Sequence, residues 1–180
     1  PIAMWPDRRY DAFGVYSGNI FIDEEDIPTA MYTGNVEGRR ETHGVLAKSF
    51  DDLLTWTKRK VMSNDDRPNQ NSPVHWDSQI WRQNNEWLQL VGGSVGRLAQ
   101  QRGAAHLWRS SDLLSWSYCG ILCQDSNPDI KFWELPYLLK FGDHAVLMVG
   151  AKNNPYWTCY YKETNLTFIP DNPEAKFFDQ

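Results

Sequence analysis

The chain has little sulfur, no long apolar run and no concentration of positive charge, and each shortage closes off a class of protein. Three cysteines in 180 residues, Cys119, Cys123 and Cys159, are an odd number with no metal-ligand spacing, so they are expected to be buried thiols. No stretch approaches 18 consecutive apolar residues and no charged-then-apolar leader opens the sequence, so these residues are expected to be soluble, with no membrane partner. Lys and Arg number 18 against 23 Asp and Glu, a net charge of −5. The basic residues are scattered, which leaves no electropositive footprint for nucleic acid. His43, His75, His106 and His144 show no spacing typical of a metal site, and neither a metal nor another cofactor is implied. The compartment stays open between secreted and cytoplasmic, and Asn165-Leu166-Thr167 fits a glycosylation acceptor.

What the chain does have is aromatic residues, nine of them Trp, and a repeat. From Val74 to Trp81 and from Glu86 to Gly93 run two short apolar stretches joined by the polar turn Arg82-Gln83-Asn84-Asn85, the pattern of a β-hairpin. Asp77 stands inside the first stretch, where an unpaired buried polar group would cost roughly 2–7 kcal/mol, so a carboxylate there needs a reason. Phe132 to Leu139 and His144 to Gly150 repeat the hairpin around Phe141-Gly142-Asp143, and Tyr16 to Ile22 with Pro28 to Gly34 repeat it again. Asp77 lies 16 residues before Gly93 and Glu134 lies 16 before Gly150, which places the two carboxylates at equivalent positions. After the first two hairpins, Lys48 to Trp56 matches Trp108 to Trp116, with the two tryptophans 60 residues apart.

Each repeat, roughly 15–62, 74–123 and 131–170, offers three recognisable strands and room for a fourth. Four antiparallel strands repeated at this interval predict the blades of a β-propeller, an all-β fold in which the innermost strands line a central channel. Propellers close with about four to eight blades. Residues 1–180 are therefore expected to form part of a propeller domain, about three blades of it. Asp77 and Glu134 would face one pocket from neighbouring blades.

The loop Pro6-Asp7-Arg8-Arg9-Tyr10-Asp11-Ala12-Phe13-Gly14, followed by Tyr16-Ser17-Gly18, resembles the β-fructosidases of glycoside hydrolase family 32, among them invertases, inulinases and levanases. His75-Trp76-Asp77-Ser78 stands where that family carries Phe-Arg-Asp-Pro, and Trp133-Glu134-Leu135-Pro136 where it carries Trp-Glu-Cys-Pro. The resemblance implies a five-bladed propeller and retaining cleavage of β-fructofuranosides such as sucrose, inulin or levan. It implies Glu134 as catalytic acid/base, Asp77 as transition-state stabiliser, and Tyr16 and Ser17 as residues of the sugar pocket. Trp76 and Trp133, aromatic neighbours of the two carboxylates, are expected to bind substrate through the apolar face of a sugar.

Two departures keep other readings open. The family's nucleophile, an Asp in a Trp-x-Asn-Asp-Pro-Asn strand, has no counterpart among the 180 residues, and Trp76 replaces a sugar-binding arginine. A family 43 furanosidase and a non-catalytic carbohydrate-binding propeller are the alternatives. A purely structural account would pair Asp77 with Arg82 or Arg97 and Glu134 with Lys131.

Overall fold

A computed structural model describes residues 2–37, 40–70 and 72–177. Its regular elements are strands apart from three single-turn 3-10 helices, and no described helix is long and apolar enough to cross a membrane. The strands form three antiparallel sheets, each a meander of four neighbours in chain order. The first holds β1 (Gly14–Ile22), β2 (Pro28–Glu37), β3 (Glu41–Lys48) and β4 (Thr57–Met62). The second holds β5 (Ser78–Gln83), β6 (Glu86–Val95), β7 (Arg102–Ser110) and β8 (Ser117–Gln124). The third holds β9 (Glu134–Phe141), β10 (His144–Gly150), β11 (Pro155–Lys162) and β12 (Thr167–Pro170), and β13 (Lys176–Phe177) also pairs with β11. These are three propeller blades.

Each blade is too thin to bury a core by itself, so the apolar residues of successive sheets pack face to face. Met31, Leu46 and Met62 of the first sheet meet Ile80, Trp87, Val91 and Trp108 of the second. Leu88, Leu90, Ala105 and Leu107 of the second meet Leu138, Ala145, Leu147 and Trp157 of the third. Trp56 and Trp116, the aromatic residues 60 apart, each pack against a core cluster. Of the three thiols, Cys123 and Cys159 are buried but Cys119 is exposed, contrary to expectation; Cys119 and Cys123 share β8, and the irregular register of that strand between them puts the two on different sides.

One polar device recurs between the inner strands. The Asn19 side-chain oxygen accepts the Ile80 N–H at 2.9 Å, joining β1 to β5. The Gln79 amide does the same from β5 to β9, accepting the Leu138 N–H at 2.7 Å and donating to the Leu138 carbonyl at 3.2 Å. Each tie satisfies a main-chain group that the inner edge of the sheet leaves unpaired. Together they fix the register of one blade's inner strand against the next.

The opening loop is anchored from below. Asp11, fully buried, accepts bonds from Tyr32 Oη at 2.7 Å, Lys58 Nζ at 3.0 Å and the Arg8 N–H at 2.8 Å. Burial and the Asp11 carboxylate hold the Tyr32 phenol well above its ordinary range, so it remains a donor. Tyr10 packs against the apolar cluster of the first sheet, so both residues of that loop's Tyr-Asp pair carry structure.

Candidate functional site

A β-bulge lies in or just before the first few residues of each inner strand, and the bulges decide which side chains reach the site. In the first blade Tyr16 pairs with Thr33 and Gly18 with Tyr32, leaving Ser17 as the extra residue. In the second, Ser78 pairs with Val91, and the Gly92 N–H is shared between the carbonyls of Trp76 (3.0 Å) and Asp77 (3.4 Å), so Asp77 is the extra residue. In the third, Glu134 pairs with Gly150 and Tyr137 with Met148, with Leu135 bulged between them. Asp77 has φ +44° and Leu135 φ +46°, a left-handed conformation costing a side-chain-bearing residue roughly 1–2 kcal/mol.

This register corrects the alignment read from the glycines. Ser17, Asp77 and Leu135 are structural equivalents, and so are Tyr16, Trp76 and Glu134. Glu134 thus sits one residue short of the position that Asp77 occupies, although each lies 16 residues before a glycine. Asp77 also precedes β5 and is not part of the strand.

The two carboxylate-bearing segments nevertheless converge. A Cβ placed on Gly92, whose N–H is held by Trp76 and Asp77, would lie 2.6 Å from the Trp133 carbonyl oxygen and 3.3 Å from the Glu134 Cα. The absence of a side chain at Gly92 is therefore what lets the third blade close against the second at this point. An aromatic row crosses the same end of the blades. Tyr16 and Trp76 meet edge to face with ring centroids 5.9 Å apart, and Trp76 meets Phe132 in the same way at 6.1 Å. Tyr16 is 39% exposed, Ser17 is exposed, and Trp76 and Glu134 are half-buried, so all four remain accessible at this rim.

Trp133 does not belong to that surface, and its expected part in sugar binding is corrected. It is fully buried, stacks at a tilt on Trp157 with centroids 4.8 Å apart, and donates its indole N–H to Asp125 Oδ2 at 2.9 Å. Consecutive residues entering a strand face opposite sides of the sheet, so exposing Glu134 turns Trp133 into the core. Trp133→Phe should lower the unfolding free energy by about 1–3 kcal/mol, because it leaves the buried Asp125 carboxylate short of a donor. Urea denaturation of the two proteins measures it.

Two of the three basic residues proposed as structural partners of the acidic pair, Arg82 and Lys131, have partners of their own. Arg82 forms its ion pair with Glu24 at 2.9 Å, and Lys131 donates to the Ala99 carbonyl at 3.1 Å. Two neighbours of Asp77 carried no functional signal in the sequence. Thr33, buried on β2, accepts the Asp77 N–H at 3.2 Å and shares a 2.8 Å hydrogen bond with Nδ1 of His75, which is also fully buried. Burial pushes the His75 imidazole down to about 3, so the ring is neutral. A cleft of about 450 Å³ opens beside Phe132, and Arg40, Arg67 and Lys131 contribute to its lining.

Comparisons with known proteins agree with this architecture. The chain is 32% identical over 155 residues to a sucrose-6-phosphate hydrolase of Salmonella typhimurium, covering 82% of this chain and 32% of that protein. It is 34% identical over 155 residues to a sucrose-6-phosphate hydrolase of Klebsiella pneumoniae, with the same coverage. The chain therefore spans about a third of the length of these relatives. Among solved structures, sucrose-6-phosphate hydrolase from Lactobacillus gasseri superposes with a TM-score of 0.79 at 22% identity, covering 98% of this chain and 39% of that one. A Bombyx mori family 32 β-fructofuranosidase superposes with a TM-score of 0.74 at 20% identity, covering 92% and 38%. At these identities the superpositions establish the fold. The model described as "Glycosyl hydrolases family 32 N-terminal domain" matches residues 1–180, and with that match the chain belongs to glycosyl hydrolase family 32, not family 43.

Proposed function

We propose that this chain is part of a retaining glycoside hydrolase acting on β-fructofuranosides, with Glu134 as acid/base and Asp77 as transition-state stabiliser. The observation that carries the reading is the approach of the Asp77 and Glu134 segments across Gly92, at the rim occupied by the aromatic row. Retaining cleavage proceeds through a covalent glycosyl-enzyme, with nucleophile and acid/base about 5–5.5 Å apart. In the first step a carboxylate supplied from outside these 180 residues attacks the anomeric carbon. The bond to the leaving oxygen breaks as the Glu134 carboxyl gives that oxygen its proton. In the second step Glu134, now a carboxylate, takes a proton from water as the water oxygen displaces the nucleophile.

Positive charge develops on the ring carbon and oxygen in both transition states, and the negative Asp77 side chain stabilises it. Tyr16 and Ser17, exposed at the first bulge, and Trp76, half-buried beside them, are proposed as the substrate-binding wall. Trp76 offers a flat apolar face where the family pattern carries a charged side chain, so contact there relies on stacking.

The test is to assay the full-length protein on sucrose, sucrose 6-phosphate, inulin and levan. Release of the fructosyl part from at least one, with retained configuration at the anomeric carbon, is the expected result. No release from any of them, with one still bound, would favour a carbohydrate-binding role. The phosphorylated sugar belongs in the panel because the cleft beside Phe132 carries three cationic side chains in a chain of net charge −5.

A further inference from the structure

Asp77 holds a left-handed backbone conformation that few side-chain-bearing residues adopt, and the hydroxyl that accepts its N–H comes from a different blade. We propose that Thr33 is a positioning residue for Asp77: its hydroxyl reaches across from β2, captures the Asp77 N–H and, braced by His75, sets the direction in which the Asp77 carboxylate leaves the chain. The inference rests on the catalytic reading of Asp77 given above.

Three observations support it. The first is the chain of bonds, 3.2 Å from the Asp77 N–H to Thr33 Oγ1 and 2.8 Å from Thr33 Oγ1 to His75 Nδ1. The bulge takes Asp77 out of the ordinary ladder, so its N–H needs a partner of this kind. The second is burial. Thr33 and His75 have no exposed surface, so water does not compete for either bond. The third is a comparison of the two blade junctions. Thr33 pairs with Tyr16, and the equivalent places in the next blades hold Gly92 and Gly150. At Gly92 a Cβ would lie 2.6 Å from the next blade's main chain, so that junction has no room for a side chain. The first junction has room for a threonine, and the hydroxyl meets both His75 and Asp77.

A residue that only filled space here would be replaced without loss by valine, which has the same shape and no hydroxyl. In the full-length enzyme, Thr33→Val should lower kcat by about 10–100-fold, the scale set by misaiming a catalytic group, with KM changed less than about threefold. Thr33→Ser, which restores the hydroxyl, should recover activity to within about threefold. In an Asp77→Ala background, Thr33→Val should cost almost nothing further, because the two residues act as one unit. Full activity of the valine variant, equal losses for valine and serine, or additive losses with Asp77→Ala would each overturn the proposal.

Amide hydrogen exchange at Asp77 gives a readout that needs neither activity nor a variant. Strong protection is expected in the wild-type protein, and exchange as fast as in the neighbouring loop would refute the tie. If the wild-type protein cleaves no fructoside while the Asp77 amide is protected, the catalytic reading fails and the tie between blades stands.

Discussion

In the full-length protein, Glu134→Gln should lower kcat on a fructoside with a poor leaving group by about 10²–10⁴-fold, the range that general acid–base catalysis contributes. Glutamine keeps the shape of the side chain and removes the proton that the leaving oxygen needs. The backbone at this position is fixed by pairing with Gly150, and the side chain is half-buried at the rim, so the fold should be unaffected. KM should stay within severalfold, because the lost interaction belongs to the transition state. A leaving group of low pKa needs no protonation, so on such a fructoside the first step should be nearly normal and the covalent intermediate should accumulate. Asp77→Asn predicts the opposite pattern. The charge it stabilises develops whatever the leaving group, so both substrates should slow alike. Steady-state and burst kinetics on the two substrates separate the roles. Equal losses in the first-step (burst) rate for Glu134→Gln on both would remove it as the acid.

Strand positions were legible because the local signals agreed. β10 occupies the residues expected of it, since a short apolar run bounded by the Gly142-Asp143 turn and Gly150 specifies a strand without reference to its neighbours. The bulges were not legible. They depend on which residue leaves the ladder, and the bulged residues are Ser17, Asp77 and Leu135, none of them a glycine or asparagine that would advertise the turn. One consequence is the shift between Asp77 and Glu134, concealed by an equal count to the following glycine. The Asp-Leu-Leu turns conceal a similar shift. Asp51 caps the first through Thr55, but in the second the capping residue is Asp112, aligned in sequence with Asp52. Trp133 differs, because period-two alternation already places it on the opposite face from Glu134. Thr33 and His75 escaped notice because a buried threonine and histidine resemble ordinary core residues until the bond to the next blade is seen.

Lowering the pH from 7.5 to 5 should destabilise the protein by about 4 kcal/mol, through two histidines that fold neutral. Burial pushes His75 down to about 3, and it pushes His106 down to about 4 against the opposing effect of the bond to the Ser94 carbonyl. In the unfolded chain both rings have an ordinary value near 6.5. Between the folded and unfolded values the unfolded chain binds more protons, so stability falls as the pH falls from about 6.5 toward 4. At pH 5 the gap is about 1.5 units for each ring, or about 2 kcal/mol at 1.36 kcal/mol per unit. His43, also held low chiefly by burial, acts in the same direction. Asp7, Asp23, Asp51 and Asp112 are held below their ordinary value of 3.8, so the stability they contribute is lost only below about pH 4 and does not blur this window. Urea midpoints at the two pH values measure the total, and His106→Gln should remove about half of the difference. No change between pH 7.5 and 5 would mean that water reaches the rings or that they keep their protons in the fold. If the loss is found, the acid side of any activity profile includes loss of folded protein, and only rates corrected for the folded fraction report on catalysis.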